Sequence, residues 1–359
     1  MVARAPRLCG TVSAVSPTSI NRAAVLYGPH DLRVEEIEIP TPGPSEVLVE
    51  VAAVGICGSD VHYYTHGRIG EFVVRAPMVL GHEVAGLVIA CGARVRRHRE
   101  GDRVCLEPGV PCGACRECRA GRYNLCRDVR FLATPPVDGA CANYVAIHED
   151  FAFSLPAGLS DEAGALIEPL AVGVWACWKA KVTGGDHVLV TGAGPIGLIA
   201  MQVALAMGAT QVTITDVNPR RLECARQMGA TAAVDVTATS LASLEFEADA
   251  LIECSGNAGA LVDGINALRP AATAVAVGMQ PEPSTVVPLD RLQIREITLT
   301  GTFRYANAYP AAINLAAAGR VDLDALVTGR FTLDESERAL RAGEDDPGSI
   351  KAVVLPDRR

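Results

Sequence analysis

From Asn21 to about His148, hydrophobic positions fall in short alternating or continuous runs cut by Gly, Pro and Asp. AAVLY, LRVEEIEI, EVLVEVAAVGI, EVAGLVIACG and DRVCLEPG are such runs. Apolar stretches of this length between turn residues predict strands. The segment reads as a partly closed β-barrel with loops inserted. The pattern changes after Leu155. DEAGALIEPLAVGVWACWKA predicts a helix, and HVLVTGAGPIGLIAMQVALAMGA a strand, a tight turn and a helix. QVTITDVNPRRLECARQMGA predicts a strand and a helix, while ADALIECSG, TAVAVG and EITLTGT predict further buried strands. Strands alternating with helices imply a parallel sheet covered on both faces. From about Ala306 come a helix, AYPAAINLAAAG, and a last strand, KAVVLP, expected to fold back onto the first unit.

Length and composition narrow the picture. A chain of 359 residues exceeds what one core organises, so two units are expected. Hydrophobic residues make up 49%, which excludes general disorder. The net charge, 32 − 41 = −9, argues against a phosphate backbone as partner. No apolar run reaches the roughly 18 residues that would span a bilayer. Twelve cysteines, several at CxxC spacing, favour metal binding in a reducing compartment, the cytoplasm. The first twenty residues carry Arg4 and Arg7 and no acid. They read as a disordered tail or an upstream start rather than a targeting segment.

Gly192-Ala-Gly194-Pro195-Ile196-Gly197 follows the strand HVLVT and opens a helix. In that context the glycines permit the tight turn, the approach of a pyrophosphate and close helix–strand packing. Asp216, about 20 residues on at the next strand's end, would accept ribose hydroxyls and repel a 2′-phosphate. This favours NAD, although Arg220 and Arg221 stand close enough to offer a phosphate site.

Cys112, Cys115, Cys118 and Cys126 can close a tetrahedral thiolate cage. With all four positions filled, its zinc is structural. Arg116, Arg119, Arg122, Arg127 and Arg130 raise a zinc-ribbon nucleic-acid module as the alternative. The acidic chain and the cage's place between strands weigh against it.

Cys57 in GICGSD and His82–Glu83 in LGHEVAG supply three zinc ligands and leave a fourth position for exchange, the mark of a catalytic site. Glu168, in LIEPLAVG, adds a carboxylate where a cleft between the units would form. Singly, Cys57 reads as core and Glu83 as a surface ion pair. As a set beside a dinucleotide turn, they read as zinc-assisted hydride transfer.

With these motifs, about Asn21 to Val354 resembles the zinc-dependent medium-chain alcohol dehydrogenases. The family's GxGHExxG signature appears with a substitution, as Met78-Val-Leu80-Gly81-His82-Glu83-Val-Ala-Gly86. GICGSDVHYY, HGRIGEFVVRAPMVLGHE, FLATPPVDGA, LIEPLAVG and GTFRYANAYP resemble the sorbitol and xylitol dehydrogenase branch.

The resemblance implies an α/β chain. A GroES-like partly closed β-barrel catalytic unit would occupy 21–169 and 306–359. A Rossmann doubly wound parallel-sheet coenzyme unit would occupy 170–305, and the tail 1–20. It implies two zinc ions per subunit, NAD and a homo-oligomer, dimer or tetramer, assembled through the edge strand ending EITLTGT. Catalytic zinc would be held by Cys57, His82 and Glu83, with Glu168 contacting it directly or through water. Ser59 would pass the substrate proton, His62 would end the relay to solvent, and Asp60 would orient His82. Tyr63, Phe131, Thr134, Arg304 and Tyr305 would line a polyol pocket, and Asp216 and Arg221 would contact the adenosine ribose. The expected reaction is oxidation of a secondary hydroxyl of xylitol, sorbitol or iditol to the ketose. A 2,3-butanediol or threonine 3-dehydrogenase would share the motifs, but Arg304 and Tyr305 favour a longer polyhydroxylated substrate. A non-catalytic protein on this fold would be expected to lack a zinc ligand, and none is lacking.

Overall fold

A computed structural model describes residues 20–244, 246–280 and 284–357. Apart from Ile20, the tail expected over 1–20 lies outside the described residues.

Six parallel strands form one sheet in the order Ala232–Asp235, Gln211–Asp216, His187–Thr191, Ala248–Glu253, Leu268–Ala276, Thr298–Gly301. Counted along the chain this is 3-2-1-4-5-6, the doubly wound order. Its faces follow from the two-residue period of a strand. Val188 and Val190 pack with Leu198, Met201 and Leu170 on one side. Leu189, between them, packs with Leu251, Leu261 and Ile265 on the other. Helices Ile167–Ala180 and Pro195–Ala206 cover the first face, and Ala258–Asn266 covers the second.

The second sheet is mostly antiparallel. Its order is Ala152–Ser154, Arg103–Leu106, Glu83–Cys91, Glu46–Gly55, Lys351–Leu355, Val327–Thr332, with Tyr144–His148 also pairing Glu46–Gly55. A smaller sheet joins Asp31–Ile37, Asn21–Gly28 and Met78–Val79. The last strand, KAVVL, pairs antiparallel with Glu46–Gly55. Ala53, Ala85 and Cys105 of the antiparallel sheet share one core with Leu170, Val174 and Leu198.

Local details differ from the sequence pattern. The helical run 161–180 is two helices, Asp161–Ala165 and Ile167–Ala180, broken at Leu166. The expected unit boundary at 169/170 therefore falls in the second helix's first turn. A helix at Gly58–His66 stands where only loops and strands were expected. Its sequence, GSDVHYYTH, has no apolar stripe to announce it. Asp60, three residues after the N-cap Cys57, accepts the Cys57 N–H at 2.9 Å and so starts the helix.

Candidate active site

The helix Gly58–His66 and the strand Glu83–Cys91 bring Cys57, His82 and Glu83 together. One ligand atom from each lies within 4.8 Å of the other two. Asp60 ties the two segments, because its carboxylate also accepts the Gly81 N–H at 3.0 Å. Its Oδ1 stands 3.7 Å from His82 Nδ1. Burial opposes ionisation of Asp60, but His82 and the N–H groups of Cys57 and Gly81 outweigh it, so its pKa lies below the ordinary value. Asp60 thus stands beside the His82 ring and joins the segments that carry Cys57 and His82.

Glu83 is paired in register with Gly55 on the neighbouring strand. A Cβ at residue 55 would lie 2.0 Å from Glu83 Oε2, so glycine there makes room for the carboxylate. Lys351, at the start of the last strand, donates to Glu83 Oε1 at 2.6 Å and to the Ile56 carbonyl at 2.7 Å. Burial disfavours the ammonium, but Glu83 and Cys57 more than compensate, and the Lys351 pKa is raised. The other oxygen, Glu83 Oε2, is buried with no hydrogen-bond partner. An orphaned carboxylate oxygen beside a thiol and an imidazole is what a zinc site requires.

Glu168 lies in the first turn of Ile167–Ala180, outside this three-ligand group. Its Oε1 accepts the Tyr305 hydroxyl at 2.7 Å. Burial raises its pKa, while His82 pulls against that. Ser59 is half-buried in the first turn of Gly58–His66, and His62, three residues on, is exposed.

The residues expected to line the substrate pocket converge. The Arg304 guanidinium stacks 3.6 Å from the Phe131 ring centre and reaches Thr134 Oγ1 at 3.4 Å. Tyr63 is buried and shares a hydrogen bond with Thr134. Phe131 and His82 have ring centres 5.6 Å apart. Burial lowers the Arg304 pKa to about 10.

The four cage cysteines also converge within 4.8 Å. Sulfur separations of 3.4 Å (Cys115–Cys118) and 3.9 Å (Cys112–Cys118) bracket the about 3.8 Å edge of a tetrahedron with Zn–S bonds of about 2.3 Å.

The glycine turn opens on a cleft of about 500 Å³ lined by Gly192, Gly194, Asp216 and Arg221 among others. Gly192 has φ +88°, and a Cβ at residue 197 would meet the Gly192 carbonyl oxygen at 1.8 Å. Space around Gly194, the N-cap of helix Pro195–Ala206, is open, so the helix N-terminus is free to take an anion. Ile196 is the second residue of that helix. Asp216 Oδ2 accepts the Ala193 N–H at 2.6 Å and Oδ1 the Asn218 N–H at 2.8 Å. The carboxylate thus shapes the turn as well as facing the cleft. Arg220 turns away to Asp346 at 3.2 Å, whereas Arg221 lines the cleft.

Comparison with known proteins agrees with this geometry. Residues 43–157 match the alcohol dehydrogenase GroES-like domain, and residues 195–318 match the zinc-binding dehydrogenase family. The chain is 46% identical to sorbitol dehydrogenase of Bos taurus over 345 residues, 94% of this chain and 96% of that one. It is 41% identical to sorbitol dehydrogenase of Bacillus subtilis over 344 residues, 94% and 98% of the two chains. Among solved structures, an Escherichia coli oxidoreductase of unknown specificity matches with TM-score 0.90 at 36% identity, covering 95% of this chain and all of that one. The chain belongs to the zinc-binding alcohol dehydrogenase family. Within it, it stands in the polyol dehydrogenase branch, and it is an NAD-dependent enzyme.

Sequence reasoning missed Lys351. A lone lysine in a terminal strand carries no local signal, and its partner Glu83 is 268 residues away.

Proposed function

We propose that the chain oxidises a secondary hydroxyl of a polyol of the xylitol, sorbitol or iditol type to the ketose, and that the residues assembled above carry the reaction. The observation that supports this most is the wall beside the Cys57–His82–Glu83 cluster. Arg304, Thr134 and Tyr63 form a connected polar surface around Phe131, with Tyr305 tied to Glu168. A substrate with several hydroxyls satisfies such groups, and a plain alcohol leaves them unpaired.

When bound, zinc supplies a Lewis acid for the reacting hydroxyl, and NAD supplies a hydride acceptor. Cys57, His82 and Glu83 would hold the metal, and Asp60 and Lys351 hold His82 and Glu83 in place. Glu168, its carboxylate held by the Tyr305 hydroxyl, would serve the metal position directly or through water. Ser59 takes the substrate proton. His62, which lies near Ser59 on the helix surface at i,i+3 spacing, returns it to solvent. The four-cysteine cage would hold a structural zinc. Gly192, Gly194, Pro195, Ile196 and Gly197 receive the dinucleotide phosphates, and Asp216 and Arg221 receive the adenosine ribose.

The catalytic unit spans 21–169 and 306–359 in this reading, and the coenzyme unit 170–305. Assembly as a homo-oligomer is supported by the sheet edge Thr298–Gly301, which has one neighbouring strand among the described residues. Exposed Val286, Leu289, Ile294 and Phe303 lie close to it in sequence. The eleven described cysteines form no disulfide with one another, which supports a reducing compartment such as the cytoplasm. Among the described residues no helix is long and apolar enough to cross a membrane.

NADH formation with xylitol, sorbitol, iditol, 2,3-butanediol and threonine, with and without a zinc chelator, tests the reading. Chelator-sensitive activity concentrated on the polyols is expected. Preference for butanediol or threonine would discard the polyol wall and keep the mechanism.

A further inference from the structure

The four-cysteine lobe reaches the substrate wall. Between Cys118 and Cys126 the chain turns through Gly121, Tyr123 and Asn124, and all three touch the segment 303–307. Asn124 Nδ2 donates to the Phe303 carbonyl at 2.8 Å. The Tyr123 hydroxyl accepts the Asn307 N–H at 2.7 Å and donates to Glu107 Oε1 at 2.7 Å. Asn307 Nδ2 donates to the Gly121 carbonyl at 3.1 Å. Both ends of the segment are therefore pinned by one lobe.

Between the pins lie Arg304 and Tyr305. The backbone there is unusual, because Arg304 has φ +53° and Asn307 φ +59°. Side-chain-bearing residues adopt this left-handed conformation at a cost, and it persists where surrounding contacts enforce it. The lobe supplies those contacts. A void of only about 10 Å³ separates Tyr123, Asn124 and Glu107 from Arg304 and Tyr305, so a shift of the lobe is transmitted to the wall.

We propose that the four-cysteine lobe is a positioning element for substrate recognition, in which Tyr123 and Asn124 pin the segment 303–307 and so set where Arg304 meets the substrate. This rests on the polyol reading above. The lobe makes no direct contribution to chemistry in this account. It determines how well the distal hydroxyls of a long substrate are met, and a short alcohol does not sense it.

The test uses the full-length, zinc-replete enzyme with two substitutions. Tyr123→Phe removes the link from Glu107 to Asn307. Asn307→Gly keeps the left-handed backbone and removes the side-chain bond to Gly121. The KM for xylitol is expected to rise by about tenfold in each, with kcat and the KM for NAD changing by less than about twofold. The KM for 2-butanol should stay unchanged. In Tyr123→Phe, amide hydrogen exchange in peptides covering 303–307 should quicken. Quicker exchange with an unchanged xylitol KM would overturn the proposal. So would loss of kcat and NAD affinity together, which would mark a general structural role. Unchanged exchange would show that the pin does not exist. If the unsubstituted enzyme turns over another secondary alcohol and no polyol, the polyol reading fails by itself. The same KM comparison on that substrate then decides the lobe's role.

Discussion

Lys351 Nζ lies 2.6 Å from Glu83 Oε1, and the two side chains are almost wholly buried. The ion pair joins the last strand of the chain to the proposed zinc ligand. It gives Glu83 one occupied oxygen and leaves the other free for the metal. Breaking such a pair from one side leaves an uncompensated buried charge, at a cost of about 3–5 kcal/mol. Lys351→Met is therefore expected to destabilise the fold by that order and to weaken zinc retention at the catalytic position. Denaturant unfolding with parallel zinc analysis measures both. A variant with unchanged stability and zinc content would show that Glu83 does not depend on Lys351.

Cys57→Ala removes the one thiol of the catalytic cluster. Cys57 is also the N-cap of Gly58–His66; the substitution removes the half of the capping box that runs from the Asp60 N–H to the Cys57 side chain and keeps the half in which Asp60 accepts the Cys57 N–H. Turnover is expected to vanish while NAD affinity persists and about one zinc per subunit, the structural ion, remains. Calorimetric titration with NAD and metal analysis report on these separately from activity. A fully active Cys57→Ala enzyme would refute the proposed mechanism.

Asp216 is expected to govern cofactor choice. Asp216→Ala removes a carboxylate that faces the cleft and also accepts the Ala193 and Asn218 N–H groups. Two effects should combine. Affinity for both cofactors falls, because the turn loses its acceptor. The preference for NAD over NADP also narrows, by about tenfold, because the repulsion of a 2′-phosphate is gone and Arg221 remains. The ratio of kcat/KM values for the two cofactors measures the second effect independently of the first. An unchanged ratio would remove Asp216 from its assigned role.

The parallel sheet and its glycine turn were legible because the central strands, His187–Thr191 and Ala248–Glu253, are buried almost throughout and punctuated by turn residues. The edges were not: Ala232–Asp235 is half-buried and was not expected as a strand, and Thr298–Gly301, expected to be buried, is mostly exposed. The four-cysteine cage was legible for a different reason, since CxxC spacing needs no tertiary context to be recognised, whereas Cys57 and His82–Glu83 carried a signal only as a set beside the dinucleotide turn. The helix Gly58–His66 was not legible. It has no apolar stripe and is set by the Asp60 cap and by burial of Tyr63 and Tyr64, which depends on the rest of the chain. The break at Leu166 is equally silent in a continuous apolar run. The partners of Glu83 and of the segment 303–307 are also hidden. Lys351 is 268 residues from Glu83, and Asn124 is 179 residues from Phe303. Such pairings are made by the folded sheet order, which no local pattern encodes.

Glu107 links this hidden network to pH. Burial pushes its carboxyl up from an ordinary 4.5 to about 7, although the Tyr123 hydroxyl stabilises the charged form. A carboxyl whose folded pKa is raised keeps its proton in the native state after the unfolded chain has released it. Its contribution to stability is thus fully present below about pH 4.5 and is lost as pH rises toward 7, by up to about 1.4 kcal/mol per pH unit. Above that window the contribution is flat. Glu107→Gln keeps an acceptor for Tyr123 and removes the titration. The unfolding free energy of the unsubstituted protein, minus that of the variant, should therefore fall between about pH 4.5 and 7 and then level off. Shared effects of zinc and of other titrating groups cancel in that difference. Urea unfolding of both proteins at pH 5, 6, 7 and 8 provides the measurement. A constant difference across the series would mean that Glu107 is ionised in the native state throughout.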